Sequence, residues 1–274
     1  YVHFSGCGCA EPSVISKSGN LKVTLDITGG TSTVAKTLDV LSADEYRQIN
    51  DDLGLAYSDL GANTNWQDKV YKTAHTQDYN LSFSGGTGKT TYRASLGYGD
   101  QEGVLMGSKL ERANSRINVN HSALDDKLVF DLRLNYGNTL SSNSPISNTV
   151  GSEAGTSINY ESYVFNPTYP IYDADGNYNH VPPYRVNPVS FANDVIDEVT
   201  NNRFLGNLTT TYKIIDPLSI NINLGYTNQI INRNSYINKT NPLGEGLGGY
   251  ASVQKLQVIG PCKILKRRSK QYRL

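Results

Sequence analysis

The run Ser84-Gly85-Gly86-Thr87-Gly88-Lys89-Thr90 holds residue types that can cradle a phosphate: glycine-freed backbone N–H groups, a lysine and a hydroxyl. That chemistry needs another glycine five residues before Gly88 and a helix whose N-terminus faces the anion. Position 83 is Phe83, and Thr91-Tyr92-Arg93-Ala94-Ser95-Leu96 alternates as a strand, so the run reads as a hairpin turn. Asp173-Ala174-Asp175-Gly176-Asn177 offers oxygen ligands, but its glycine comes too early for a calcium loop and no glutamate stands at the twelfth position. It reads as a solvated turn, with weak calcium binding left open. His3, His75, His121 and His180 lie far apart, without an acidic partner at motif spacing. Cys7-Gly8-Cys9 is too close for most metal pairings, and Cys262 is remote. No catalytic residue, metal site or cofactor is expected, and the chain is not read as an enzyme.

The other chemistry-bearing residues are aromatic. Tyr160, Tyr163, Tyr169, Tyr172, Tyr178 and Tyr184, with Phe165, crowd one segment. A tyrosine face can stack on a sugar ring or a peptide, offering apolar area with a polar tip. These rings can equally pack the segment onto itself, since a long loop needs some core of its own. Both readings stand.

The elements that must position such a loop are strands. Leu128, Phe130, Leu132, Leu134 and Tyr136 alternate with Val129, Asp131, Arg133 and Asn135. Leu218, Ile220, Ile222, Leu224 and Tyr226 alternate with Ser219, Asn221, Asn223 and Gly225. A period of two means one oily and one wet face. About nine residues is also what a tilted strand needs to cross a bilayer, and a terminal tyrosine suits the membrane interface. Further strands are expected from Leu21 to Ile27, ended by Gly29-Gly30, and near 76–84, 92–98, 112–122 and 203–214. Ser42 and Glu45 form a capping-box signature for one short helix to about Leu53. Connections alternate in length: short near 85–89, 123–127 and 214–217, long over 29–75, 99–111 and 137–202. Short turns at one end and long loops at the other is the outer-membrane barrel pattern. Inside a compact soluble domain a loop as long as 137–202 would count against the assignment.

Composition allows this reading without deciding it: 274 residues, 38% hydrophobic, mean hydropathy -0.44, 19 Tyr and 25 Gly. The formal net charge is zero, which argues against nucleic acid as a partner. Seven basic residues and no acidic one fall between Gln254 and Leu274. That basic tail, 255–274, and the opening segment 1–18 lack the barrel pattern, so the barrel is expected over 19–254. With no initiator methionine or leader at Tyr1, the chain reads as a piece of a longer protein.

Tyr98-Gly99-Asp100-Gln101-Glu102-Gly103-Val104, Gly107-Ser108, Glu111-Arg112 and Arg116-Ile117-Asn118 resemble the early barrel of SusC/RagA-type TonB-dependent transporters of Bacteroidetes outer membranes. Leu38-Asp39-Val40-Leu41-Ser42-Ala43-Asp44-Glu45-Tyr46 and Tyr79-Asn80-Leu81-Ser82-Phe83-Ser84-Gly85-Gly86 resemble neighbouring segments of that family. The resemblance spans about 19–250. It implies import of oligosaccharides or peptides through a plugged barrel of roughly 22 strands, driven by TonB, with a SusD-type surface lipoprotein as partner and the cell outer membrane as location. It also implies that the plug and about two thirds of the barrel are absent here.

The expected fold is therefore all-β: a partial transmembrane antiparallel barrel of about seven strands, with a short helix and long external loops. Alternation places Arg93, Asp131, Arg133, Asn221 and Asn223 on a wet lumen face. The 137–202 loop is expected to contact substrate or lid. The competing class is a secreted soluble β-sandwich or adhesin binding carbohydrate, which would turn its apolar faces onto a shared core.

Overall fold

The computed structural model describes residues 19–144, 157–181, 185–216, 218–245, 248–260 and the backbone of 267–270. Eight strands run in sequence order through one antiparallel sheet: β1 (Gly19–Ser32), β2 (Ala74–Thr87), β3 (Thr90–Glu102), β4 (Lys109–Ala123), β5 (Leu128–Ser142), β6 (Val195–Ile215), β7 (Leu218–Ile237) and β8 (Tyr250–Gly260). A short β9 (Arg267–Lys270) also pairs with β7. Among the described residues β1 and β8 do not pair with each other, so the sheet is an open stretch of barrel wall.

Register turns the alternation into faces. Leu25 pairs with Leu81, Leu81 with Leu96, Leu96 with Ser115, Ser115 with Tyr136 and Tyr136 with Phe204. One rung below run Val23, Phe83, Ala94, Ile117, Leu134, Gly206 and Tyr226. This apolar face is uncovered: Leu25 is 60% exposed, Leu96 56% and Ile117 44%. A β-sandwich would bury these side chains under a second sheet, and among the described residues none lies over them. The soluble-sandwich expectation fails on that geometry. Tyr79 sits opposite Tyr98, and the Phe204 and Tyr226 rings lie 6.0 Å apart, so one rim of the band is aromatic.

The short links from β2 to β3, β4 to β5 and β6 to β7 lie at one end of the sheet and all longer connections at the other. Several expected bounds move. Gly29-Gly30 does not end β1, which continues two residues further to Ser32. The connection expected over 99–111 shrinks to 103–108, and that over 137–202 to 143–194. The sheet has an eighth strand, and β8 continues six residues past the expected boundary at 254. Helix is also more plentiful than expected: α1 (Ala43–Asp52), α2 (Trp66–Val70), α3 (Ile158–Val164), α4 (Pro188–Asp194) and α5 (Pro242–Glu245). In α1 the capping box forms as the sequence predicts, Ser42 Oγ accepting from Glu45 N–H and the Glu45 carboxylate accepting from Ser42 N–H at 2.9 Å. The run at Ser84–Thr90 is the β2–β3 hairpin.

Candidate functional site

The buried core sits in the connections, not in the wall. Val70 of α2, Leu105 of the β3–β4 connection, Ile158 of α3, and Val186, Phe191 and Ala192 at α4 form one apolar cluster, with Leu243 of α5 packed against it. Trp66, Phe165, Tyr169 and Val189 form a second, which Met106 joins to the first. All four long connections thus converge into one cap at the long-loop end of the sheet. Backbone bonds stitch it: Thr64 N–H donates to Pro167 O at 2.8 Å, Lys72 N–H to Val104 O at 2.8 Å and Met106 N–H to Val70 O at 2.9 Å. Two fully buried amides replace a backbone partner. Gln67 holds Leu38 by both its oxygen and its nitrogen, at 2.9 and 2.8 Å. Asn187 caps α4 and donates to Ile171 O and Asn179 O, at 2.9 and 3.1 Å.

The loop tyrosines divide between two tasks. Tyr169 is buried, its ring edge-on to Phe165, which is edge-on to Trp66. Tyr163 meets Tyr71 hydroxyl to hydroxyl at 3.2 Å, and burial with this contact pushes the Tyr71 phenol up to about 12. Tyr160 and Tyr172 are exposed. Tyr172 pairs with the half-buried Tyr178, ring centres 5.0 Å apart, and the guanidinium of Arg185 lies 5.3 Å from the centre of the Tyr160 ring. Tyr184 lies outside the described residues. The Asp173 turn closes on itself, Asp173 Oδ1 accepting from the N–H groups of Asp175 and Asn177 at 2.9 and 2.8 Å. Those bonds hold the Asp173 carboxyl below the usual carboxylate range. Among the described residues no three His, Cys, Asp or Glu side chains gather as a metal site. His3 and the three cysteines lie outside them.

Cross-strand register gathers the polar side chains on the other face of the sheet. Arg93 pairs with Asn118, Asn118 with Arg133 and Arg133 with Asn207. Asp131 pairs with Thr209, Thr209 with Asn223, and Thr211 with Asn221. All five residues expected there share this face of the sheet. It is knit by weak polar contacts: Arg133 to Asp131 at 2.7 Å, Asn207 Nδ2 to Asn223 Oδ1 at 2.8 Å, Asn221 Nδ2 to Thr211 Oγ1 at 2.7 Å. Gly99 on this face lets Asp78 and Arg112 close at 2.8 Å across β3, where a Cβ would lie 2.5 Å from Asp78 Oδ1.

The chain is 31% identical to "TonB-dependent receptor P3" of Formosa agariphila over 229 residues, 81% of this chain and 22% of that protein. It is 30% identical to "TonB-dependent receptor SusC" of Bacteroides thetaiotaomicron over 199 residues, 66% of this chain and 20% of that protein. The solved structure of the RagAB peptide importer in its closed-closed state superimposes with a TM-score of 0.64 at 19% identity, covering 83% of this chain and 30% of that one. The chain matches part of a SusC/RagA-type TonB-dependent transporter. No family model matches it. It spans about a fifth of the length of the curated relatives it matches.

Within this SusC/RagA-type wall, sequence reasoning missed the cap. Trp66 falls in a segment that reads as polar loop, yet its indole N–H donates to Asn166 O at 2.9 Å, a hundred residues along the chain. No periodicity could have paired them. The available signals were the lone tryptophan and the capping residues Asn65, Ser157 and Asn187, each of which does accept from a first-turn N–H.

Proposed function

We propose that this chain forms part of the wall and external cap of an outer-membrane importer of oligosaccharides or peptides, driven by TonB and served by a SusD-type lipoprotein. The observation that carries the reading is the pairing of an uncovered apolar band, rimmed by Tyr79, Tyr98, Tyr136, Phe204 and Tyr226, with a loop-built cap at one end of the same sheet. An apolar exterior and a polar interior divided by strand alternation is what a bilayer demands of a barrel. In this reading Arg93, Asp131, Arg133, Asn221 and Asn223 line a wet passage. Transport then rests on binding and gating, with no bond-breaking step assigned to any residue.

The exposed rings Tyr160 and Tyr172, with Tyr178 behind Tyr172, are the surface offered to substrate or lid lipoprotein. Tyr163 and Tyr169 hold the cap together instead. In the full-length receptor, Tyr160→Ala with Tyr172→Ala should weaken oligosaccharide, peptide or lipoprotein binding roughly tenfold, at about 0.5–1.5 kcal/mol per lost stacking contact. Titration calorimetry against each ligand class measures this. Unchanged affinity for all three would remove the tyrosines from the site.

A further inference from the structure

Glu161 lies on α3 in the middle of the cap, only 1% exposed. One carboxylate oxygen, Oε1, is 3.6 Å from Arg185 Nη1. The other, Oε2, is buried with no hydrogen-bond partner. A buried carboxylate with one loose ion pair and one orphan oxygen is costly when charged and far less so when protonated. Arg185 forms an isolated antiparallel bridge with Val181, the two exchanging both backbone bonds at 3.0 Å. Its guanidinium also covers Tyr160, one of the two exposed rings of the candidate site.

We infer that Glu161 is a proton-operated latch: its protonation tightens the cap around α3, and its ionisation loosens the cap and strengthens the pull on the Arg185 guanidinium beside Tyr160. Burial pushes the Glu161 carboxyl up to about 7, against a smaller opposing pull from Arg185. The sign follows from linkage. A carboxyl raised in the folded cap binds more protons folded than unfolded, so the cap is most stable in mild acid and loses stability as pH rises towards 7.

The surroundings contain few competitors. On α2, Asp68 and Lys69 are exposed and point to solvent. On α4 the titratable group is Asp194, raised by its own burial and therefore acting in the same direction. His180 on the 172–181 segment is lowered by burial, so its protonation below the ordinary histidine range opposes the latch. Tyr71, raised by burial, stays protonated throughout. Among the described residues, Arg185 is the charged group that acts on Glu161 itself.

The test is amide hydrogen exchange on the full-length receptor between pH 5.5 and 8, corrected for intrinsic exchange. The probes are the N–H groups of Phe165, which donates to Glu161 O at 2.9 Å, and Val181. Wild type should lose roughly twentyfold protection across that range. Glu161→Gln should remove the loss attributable to this group, leaving the effect of His180, which opposes the latch, and that of Asp194, which runs with it. Arg185→Gln, which takes away the stabilising charge, should shift the wild-type profile to higher pH. A flat wild-type profile overturns the latch. So does a Glu161→Gln profile equal to wild type, or an Arg185→Gln profile that does not move.

Discussion

Trp66 sits 3% exposed between Phe165 and the Asn166 carbonyl, so the cap depends on one residue placed by a contact a hundred positions away. Trp66→Ala should cost ~3–5 kcal/mol of local stability. Limited proteolysis of the full-length receptor should then cut near 165–169 while leaving β4 and β5 intact; a cleavage pattern equal to wild type would mean the cap is held elsewhere. This residue also marks where reading a sequence stops. Arg93, Asp131, Arg133, Asn221 and Asn223 could be placed on one face from a period of two, because face is a local property. Tyr160 and Tyr169 could not be told apart, although one is exposed and the other buried. Their difference lies in what the β1–β2 connection brings over them, and nothing near them in the chain records it.

At the scale of elements, legibility follows solvent. The apolar alternation of β6 and β7 covers roughly Phe204 to Tyr212 and Leu218 to Tyr226, which is where sequence bounds fall. The strands themselves reach Val195 and Ile237, about 30 and about 36 Å beyond Phe204 and Tyr226 at ~3.3 Å per residue. There polar residues fall on both faces, and Asn201, Asn202, Asn232 and Asn234 give no alternation to read. Pairing continues regardless, fastened by Arg233 and Asp197 at 2.7 and 2.9 Å with Ser235 donating to the same carboxylate at 3.0 Å. Helix α1 is the opposite case: its start was legible because a capping box is local chemistry. Ser42→Ala should therefore destabilise α1 by ~1 kcal/mol. Faster amide exchange at Glu45 and Tyr46, without change in β2, is the expected signature. Equal exchange in the variant would show that the Arg47–Asp59 ion pair, at 2.7 Å, holds the helix unaided.

Across the whole molecule, the apolar band and the polar face together predict that one sheet serves two solvents. Leu134 and Asn207 lie on opposite faces of adjoining strands, Leu134 opposite Gly206 and Asn207 opposite Arg133. Their substitution by the same charged residue separates a bilayer wall from a merely amphipathic sheet. Leu134→Arg places a guanidinium in the middle of the band, where a lipid-facing arginine costs ~2–4 kcal/mol. Asn207→Arg places it among groups already hydrated, where the cost should be under ~1 kcal/mol apart from local repulsion by Arg133. In the full-length receptor reconstituted into bilayers, Leu134→Arg should lower the temperature at which the folded, fast-migrating form is lost on gels. Asn207→Arg should leave it nearly unchanged. The reverse order would turn the sheet inside out and with it the assignment of passage and membrane, because that assignment rests on the side chains that each face of β5 and β6 presents.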